Sequence, residues 1–244
     1  ASIQPGTYTL RSQMSAAAAL TMMLDPSSRT SERVLVREGL TAAEIAGVLS
    51  RESGQPLSEY TAALKDAEAL GLPAAAKGKA EGWLFPDTYE FDTNASPAAQ
   101  LATMVKQMRS VLDGLGVSTA DAQKLLTKAS IVQAEGSRAE DFGKIARVID
   151  NRLDAGVRLQ MDSTVHYVVG KEKVTTTQQQ RQTKSPYNTY LVTGLPPGPI
   201  GSPGKAAIEA ALHPTPGNWM YFVAVDPTTG ETKFAVTKAE HDRN

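Results

Sequence analysis

Three amphipathic helical patterns in succession, from Ser96 to Gly156, constrain the fold of this chain most. The first has Ser96 as its N-cap and closes at Gly114, the second opens at Ser118, and the third ends at Gly156. Apolar residues recur three and four positions apart in these segments, which is the pattern of helices that pack against a core. The second part of the chain is therefore predicted to be mainly helical.

The first part predicts a small module of short strands and helices. Strands are expected at residues 6–10 and 33–40, and helices at 14–24, from the capping box of Thr41 and Glu44 onward, and at 58–70. Residues 71–82 show little apolar periodicity, which is typical of a domain boundary but equally of a surface loop inside one domain. We predict an α+β fold that divides into residues 1–75 and 76–244.

Two further elements are predicted nearer the C-terminus. Ser202 and Pro203 are expected as the N-cap and first residue of a helix, and residues 219–225 and 232–237 as the strands of a β-hairpin. The turn between the strands, residues 226–230, has the proline and glycine that such turns favour.

Composition excludes several classes of function. The 244 residues carry a net charge of -1, which gives no support for nucleic-acid binding, and they include no cysteine and only three widely spaced histidines. No nucleotide-binding or nucleophilic-serine motif is present, and no stretch reaches the roughly 18 to 20 apolar residues of a membrane span. No metal or cofactor is expected. The opening "ASIQPGTYTL" has neither a start methionine nor a signal peptide, so we expect a chain trimmed at its N-terminus.

One carboxylate stands out in the second helical pattern. Glu135 projects between Ile131 and Val132 on the apolar side of that helix, and Gln133 also lies on the apolar arc. A carboxyl in an apolar setting has a raised pKa, so it can keep its proton near neutral pH. Glu135 is either a slip of the pattern at the helix end or an acid held there for catalysis.

Other polar residues cluster in the same part of the chain. They include Asn151 and Arg152, the stretch "LQMDSTVHY" (159–167) and the stretch "SPYNTYLVTGLPPGPIGSPG" (185–204). The last could be a disordered linker, but its tyrosines, asparagine and threonine suit a sugar-binding wall, and it is punctuated like an ordered loop. The residues alone predict no more than a site that binds a polar ligand beside an acidic carboxyl group.

The motifs "EGWLFPDTYEF", "ASIVQAEGS", "VIDNRLDAGVRLQMDSTVHY", "SPYNTYLVTGLPPGPIGSPGKAAIEAALHP" and "YFVAVDPTTGETKFAVTKAEHDRN" resemble, in this order, the endolytic murein transglycosylase family (YceG-like), in its actinobacterial type. The resemblance runs from about residue 71 to the C-terminus. It implies a LysM-like subdomain in residues 1–75, lacking its beginning, followed by a larger, mainly helical catalytic domain with the C-terminal hairpin. It also implies a single-pass membrane anchor, absent here, an extracytoplasmic location, peptidoglycan glycan strands as substrate and cell-wall synthases as partners.

The resemblance assigns the catalytic role to Glu135. Many members have glutamate at the Gln133 position as well, and this sequence keeps only the second of the two. Glycan-contacting or supporting roles are implied for Glu81, Tyr89, Asn151, Arg152, Gln160, Asp162, Ser163, Thr164, Tyr187, Asn188 and Thr189. The alternative for these residues is structural, with Arg152 and Asp162 as an ion pair and Trp83 and Phe85 in the core. The site is expected in a cleft between the Glu135 helix and residues 187–199.

A single carboxyl suits the implied chemistry. A lytic transglycosylase protonates the leaving oxygen of a MurNAc-β-1,4-GlcNAc bond and then lets the sugar's own C6 hydroxyl close onto C1, so it needs no activated water. A hydrolytic muramidase would need a second carboxylate, for which Asp87 and Asp162 are the candidates. A peptidoglycan-binding scaffold without activity is the third possibility.

Overall fold

The computed structural model describes residues 2–3, 7–25, 28, 30–170, 176–226 and 228–244. The α-helices in this part of the chain are α1 (Ala16–Leu24), α2 (Ala42–Ser53), α3 (Leu57–Ala63), α4 (Pro97–Gly114), α5 (Thr119–Glu135), α6 (Phe142–Asp154), α7 (Asp162–Val169), α8 (Lys205–Leu212) and α9 (Lys238–His241). The strands are β1 (Ser31–Leu35), β2 (Thr88–Asp92), β3 (Tyr221–Asp226) and β4 (Glu231–Ala235).

The three helices predicted between Ser96 and Gly156 are confirmed as α4, α5 and α6. The Ser96 and Ser118 side chains accept hydrogen bonds from Ala99 N and Asp121 N, as N-caps do. Each helix buries its apolar stripe, and α5 and α6 pack on each other and on α8. The N-cap of α2 is also confirmed, because Thr41 and Glu44 form a reciprocal capping box.

Four element predictions need correction. The strand predicted over 33–40 is β1, which spans Ser31–Leu35, and residues 36–40 form no strand. The helix predicted over 58–70 ends at Ala63 and continues as turns. The strand predicted over 6–10 is a single bridge residue at Tyr8, and Gly6 lies outside the described residues. The helix predicted from Ser202 begins at Lys205, since the backbone N–H and C=O of Ser202 are already paired with Leu40 and Gly39.

Strand β2 and helix α7 were not predicted at all. β2 pairs antiparallel with β1, with Val34 opposite Tyr89, so the two halves of the sequence share one sheet. A first hydrophobic core also combines the two halves. It contains Val34, Leu49 and Tyr60 from the first part of the chain, and Leu84, Phe91 and Met104 from the second.

The C-terminal β-hairpin is confirmed as β3 and β4, with Tyr221 opposite Ala235 and a register shift between Ala224 and Asp226. Pro227 in its turn lies outside the described residues. Gly230 has φ +73°, and a Cβ there would come within 3.2 Å of Ser137 Cβ. The turn therefore lies beside the residues that follow Glu135. In the described residues, the helices with two small sheets confirm the α+β class, while the division at residue 75 stays a prediction.

Candidate active site

Glu135 is the last residue of α5, and its side chain is half-buried. Its Oε1 accepts a hydrogen bond of 3.1 Å from the backbone N–H of Ser163, in the first turn of α7. Gly136 follows as the C-cap, and a Cβ at Gly136 would lie 2.4 Å from the Phe142 ring. The Phe142 ring therefore packs directly on the backbone that follows Glu135, and a larger residue at position 136 would displace that ring.

Asp162 directly precedes Ser163, and its carboxylate accepts four hydrogen bonds. It accepts hydrogen bonds from Thr176 N (3.0 Å), Thr176 Oγ1 (2.6 Å), Tyr190 Oη (2.5 Å) and Arg181 Nη2 (3.2 Å). Burial acts to raise the pKa of Asp162, but these hydrogen bonds outweigh it and hold the pKa below its usual value. Asp162 therefore anchors the 176–190 segment beside the start of α7.

The Glu81 carboxylate forms a second group of hydrogen bonds, between α2 and α7. Its Oε1 accepts from Ala42 N at 3.0 Å and its Oε2 from Tyr167 Oη at 3.1 Å. Burial raises the pKa of this carboxyl to about 7. The Tyr167 ring packs against the Tyr187 ring, with 4.9 Å between ring centroids.

Several of the predicted site residues direct their polar atoms into the fold. Asn151 and Arg152 donate to backbone carbonyls of residues 217–220, and Arg152 also to Leu159 O. Thr164 and Thr189 bond to each other, and Asn188 donates to Arg181 O and Thr183 O. The buried Tyr89 hydroxyl donates to Phe85 O. Their contact with glycan stays a prediction, and their observed hydrogen bonds are all made within the protein.

The remaining predicted residues are placed differently. Gln160 is exposed, with φ +53° and its N–H donated to Thr189 O. Asp87 is exposed and accepts from the N–H of its neighbour Thr88. The Ser163 hydroxyl is buried, and within the described part of the chain it has no hydrogen-bond partner. A buried unsatisfied hydroxyl beside Glu135 is a group that a bound ligand could satisfy.

The proposed ion pair between Arg152 and Asp162 is wrong. The acceptors of Arg152 are backbone carbonyls, and the cation beside Asp162 is Arg181. The core placement of Trp83 and Phe85 is confirmed, since the two are 1% and 8% exposed.

Sequence reasoning missed Tyr167, Thr176 and Arg181. Tyr167 is four residues after Ser163, so on a helix the two lie on one side, and that spacing could have indicated it. Thr176 and Arg181 carry no comparable signal, since residues 176–182 show no motif that points toward Asp162.

Other features lie apart from Glu135. Cavities of about 280 and 310 Å³ lie around Lys124 and Leu195, toward the N-terminal end of α5. No cluster of three or more His, Asp or Glu side chains suited to a metal ion is found among the described residues. In the same residues, no helix has both the length and the apolar character needed to cross a bilayer.

Comparison with known proteins identifies the family. The sequence matches the YceG-like family over residues 1–244. The chain belongs to the YceG-like family. It is 32% identical to the endolytic murein transglycosylase of Bacillus subtilis (strain 168) over 259 residues, which cover 98% of this chain and 71% of that protein.

A second relative in the YceG-like family is the endolytic murein transglycosylase of Streptococcus pneumoniae serotype 2 (strain D39), also 32% identical. The match covers 85% of this chain and 39% of that longer protein. A crystal structure of a YceG-like protein from Listeria monocytogenes superposes with a TM-score of 0.75 at 30% identity, covering 94% of this chain and 81% of that one. The family predicted from the motifs is confirmed, and the actinobacterial type stays a prediction.

Proposed function

We propose that this chain is the extracytoplasmic catalytic part of an endolytic lytic transglycosylase that cleaves peptidoglycan glycan strands. The activity predicted from the motifs is confirmed at the level of the family, because the relatives are named for it. The observation that carries the residue-level proposal is the Glu135 carboxyl, held at the end of α5 by the Ser163 N–H.

In this proposal Glu135 acts first as acid and then as base. Because an N–H already donates to Oε1, the proton that Glu135 delivers is carried by Oε2. It passes to the oxygen between MurNAc C1 and GlcNAc C4, and the C1–O bond breaks. The carboxylate then takes the proton of the C6 hydroxyl as O6 bonds to C1. The products are a 1,6-anhydroMurNAc end and a free GlcNAc end, with no water consumed and Glu135 reprotonated.

The hydrolytic alternative finds less support in the site. A second catalytic carboxylate needs an oxygen available for water or for the sugar. The oxygens of Asp162 accept four hydrogen bonds from protein donors. Asp87 is exposed directly before β2, and its Oδ1 accepts from Thr88 N. Asp162 suits an anchoring role better than a role as nucleophile or base.

The wider organisation is part of the same proposal. Residues 1–75 are proposed as a LysM-like subdomain and residues 76–244 as the catalytic domain. The active site is proposed to lie in a cleft between the end of α5 and residues 187–199. A membrane anchor N-terminal to this chain would hold it outside the cytoplasmic membrane, where peptidoglycan lies. Cell-wall synthases are proposed as partners there.

Product analysis tests the function directly. Purified glycan strands are digested with the wild-type chain and with Glu135→Gln in water enriched in heavy oxygen, and the fragments are analysed by mass spectrometry. We expect unlabelled anhydro ends from wild type, and a rate lower by about 10² or more for Glu135→Gln, the usual scale of general acid catalysis. Labelled reducing ends would show a hydrolase instead. Undiminished cleavage by Glu135→Gln would remove this residue as the acid.

A further inference from the structure

The first and second halves of the chain meet at the active-site loop through paired backbone groups. Gly39 N donates to Ser202 O and Ser202 N donates to Leu40 O, both at 2.8 Å. A Cβ on Gly201 would lie 2.7 Å from Gly39 O, so the two segments are in direct contact. This contact brings the start of α2 next to the loop that contains Tyr187.

Glu81 lies at this junction and joins its two sides. One carboxylate oxygen accepts from Ala42 N, the first residue of α2, and the other accepts from the Tyr167 hydroxyl on α7. Each oxygen thus has a protein donor. Gly82, with φ +78°, packs so closely on Pro199 that a Cβ there would lie 2.4 Å from the proline ring. Residues 81 and 82 are therefore in direct contact with α2, with α7 and with Pro199 of the loop.

From Tyr167 the contacts continue to Glu135. Tyr167 packs on Tyr187, three residues before Tyr190, whose hydroxyl donates to Asp162. Asp162 directly precedes Ser163, the donor to Glu135. Helix α7 thus receives Glu135 at its first turn and Glu81 about one turn later, on the side that carries Ser163 and Tyr167.

We propose that Glu81 is a positioning residue for catalysis. By holding the Tyr167 hydroxyl to the N-terminus of α2, it fixes the Tyr167–Tyr187 pair and makes the first half of the chain a structural part of the active site. The proposal rests on the proposed function only for its kinetic consequence. It differs from a glycan contact, because both oxygens of Glu81 are bonded within the protein.

The ionised form of Glu81 is the one that accepts both donors. The groups that face it are Glu44 on α2, Tyr167 on α7 and Tyr187 on the loop, all of them acidic or neutral. Burial raises the pKa of Glu81 to about 7, and the charge of Glu44 acts in the same direction. Protonation in mildly acidic solution would turn an acceptor into a donor and loosen the Tyr167 contact.

A double-mutant cycle tests the proposal. The variants are Glu81→Gln, Tyr167→Phe and their combination, with Tyr60→Phe as the matched control, since that buried hydroxyl donates to Gln100 Oε1 outside this junction. Release of anhydro ends is measured against glycan concentration. We expect each single change to lower kcat about tenfold with little effect on KM, because misplacing a wall of the site costs rate. The combination should be no worse than either single change.

The other results would overturn it. Wild-type kcat in Tyr167→Phe, additive losses in the combination, or an effect confined to KM would each make Glu81 something other than a positioning residue. The wild-type kcat should also fall below about pH 7, the pKa of Glu81. That fall should be absent in Glu81→Gln and retained in Tyr60→Phe. A Glu81→Gln profile identical to wild type contradicts the role.

Amide hydrogen exchange separates this proposal from the proposed function, because it needs no substrate. In Glu81→Gln and Tyr167→Phe, exchange should speed up both at Ala42 and at Asn188 and Leu191, whose N–H groups are bonded within the loop. If the wild-type chain releases no anhydro ends while exchange changes as expected, the function fails and the junction stands. If exchange at Asn188 and Leu191 is unchanged, the junction role itself fails.

Discussion

At the scale of single residues, the Ser163 side chain separates function from stability. Its hydroxyl is buried with no partner in the described part of the chain, and its own N–H holds Glu135. A buried polar group without a hydrogen bond costs about 1–3 kcal/mol of folding free energy. Such a cost is typical of a group kept for a ligand.

Ser163→Ala should therefore raise the free energy of unfolding by about 1 kcal/mol and lower kcat/KM for glycan about tenfold, by loss of a hydrogen bond to the sugar. Urea denaturation and initial rates measure the two effects. Ser202→Ala is the control, because Ser202 Oγ is also buried and without a partner in the described residues. It should gain stability and keep activity. A Ser163→Ala protein that is less stable but fully active would argue against a ligand at this hydroxyl.

The Glu81 carboxyl gives a second prediction at this scale, on stability against pH. Its pKa rises from 4.5 to about 7 on folding, so the folded state binds the proton more tightly than the unfolded chain does. The stability that this proton contributes is complete below the unfolded pKa and is lost as pH rises through the folded one. With about 1.4 kcal/mol for each pKa unit, the loss is on the order of 3 kcal/mol.

Glu81→Gln does not titrate, so its stability relative to wild type should improve between pH 5 and pH 8 by about that amount. Urea denaturation of both proteins at the two pH values gives the comparison. The same difference at both pH values would show that Glu81 keeps an ordinary pKa in the folded protein.

At the scale of elements, the end of α5 presents Gln133 and Glu135 to different partners. Glu135 meets α7, whereas Gln133 Oε1 accepts from Gly204 N at 3.0 Å, at the N-cap of α8. The Glu38 carboxylate also lies against Gly204, where a Cβ would come within 1.9 Å of Glu38 Oε1. The acceptor of the Gly204 N–H at position 133 can therefore be either an amide oxygen or a carboxylate oxygen.

Gln133→Glu should leave glycan cleavage within a few-fold of wild type. The new carboxylate can accept the Gly204 N–H, and repulsion from Glu38 should lower the melting temperature only slightly, since one exposed like-charge contact costs about 1 kcal/mol or less. Gln133→Met is the control of similar size, which leaves that N–H without its acceptor and should cost about 1–3 kcal/mol. If Gln133→Glu activates an otherwise inactive protein, the assignment of the acid to Glu135 is wrong.

Elements defined by local signals were predictable, and those defined by distant partners were less so. The caps at Ser96, Ser118 and Thr41 act within one turn, so the sequence indicates them directly. The helix start predicted at Ser202 was wrong because Leu40 and Gly39, far away in sequence, already use its backbone. β2 does have an alternating pattern, and its exposure alternates accordingly, but its pairing with β1 depends on a long connection.

At the scale of the whole molecule, the same limit applies to the site. The contact of Glu81 with Tyr167 spans 86 positions, and no spacing rule connects two such residues. The motif resemblance selected Glu81, Asp162 and Ser163, while the partners that explain them, such as Arg181, became visible only in the fold. Sequence therefore indicates which side chains matter more readily than what each of them contacts.

The whole molecule also bears on where the chain can be divided. The first core combines apolar side chains from both sides of residue 75, and β1 pairs with β2 across the same point. Residues 76–244 alone would leave at least six of these side chains without their packing partners: Leu84, Tyr89, Phe91, Leu101, Met104 and Val105. At about 1.5–3 kcal/mol for each fully buried side chain, the loss is comparable to the whole stability of a typical domain.

A fragment of residues 76–244 should therefore fail to unfold cooperatively and should bind a hydrophobic dye, whereas residues 30–244 should melt near the full chain. The second fragment is the matched control, because it removes α1, in which no residue is buried, but keeps β1 and the Thr30 carbonyl that Thr93 N contacts. Circular dichroism melts and dye fluorescence measure both fragments. A cooperative melt of 76–244 within a few degrees of the full chain would establish it as an autonomous catalytic domain. It would also remove the structural reason for Glu81 to couple the two halves, since that fragment lacks Ala42.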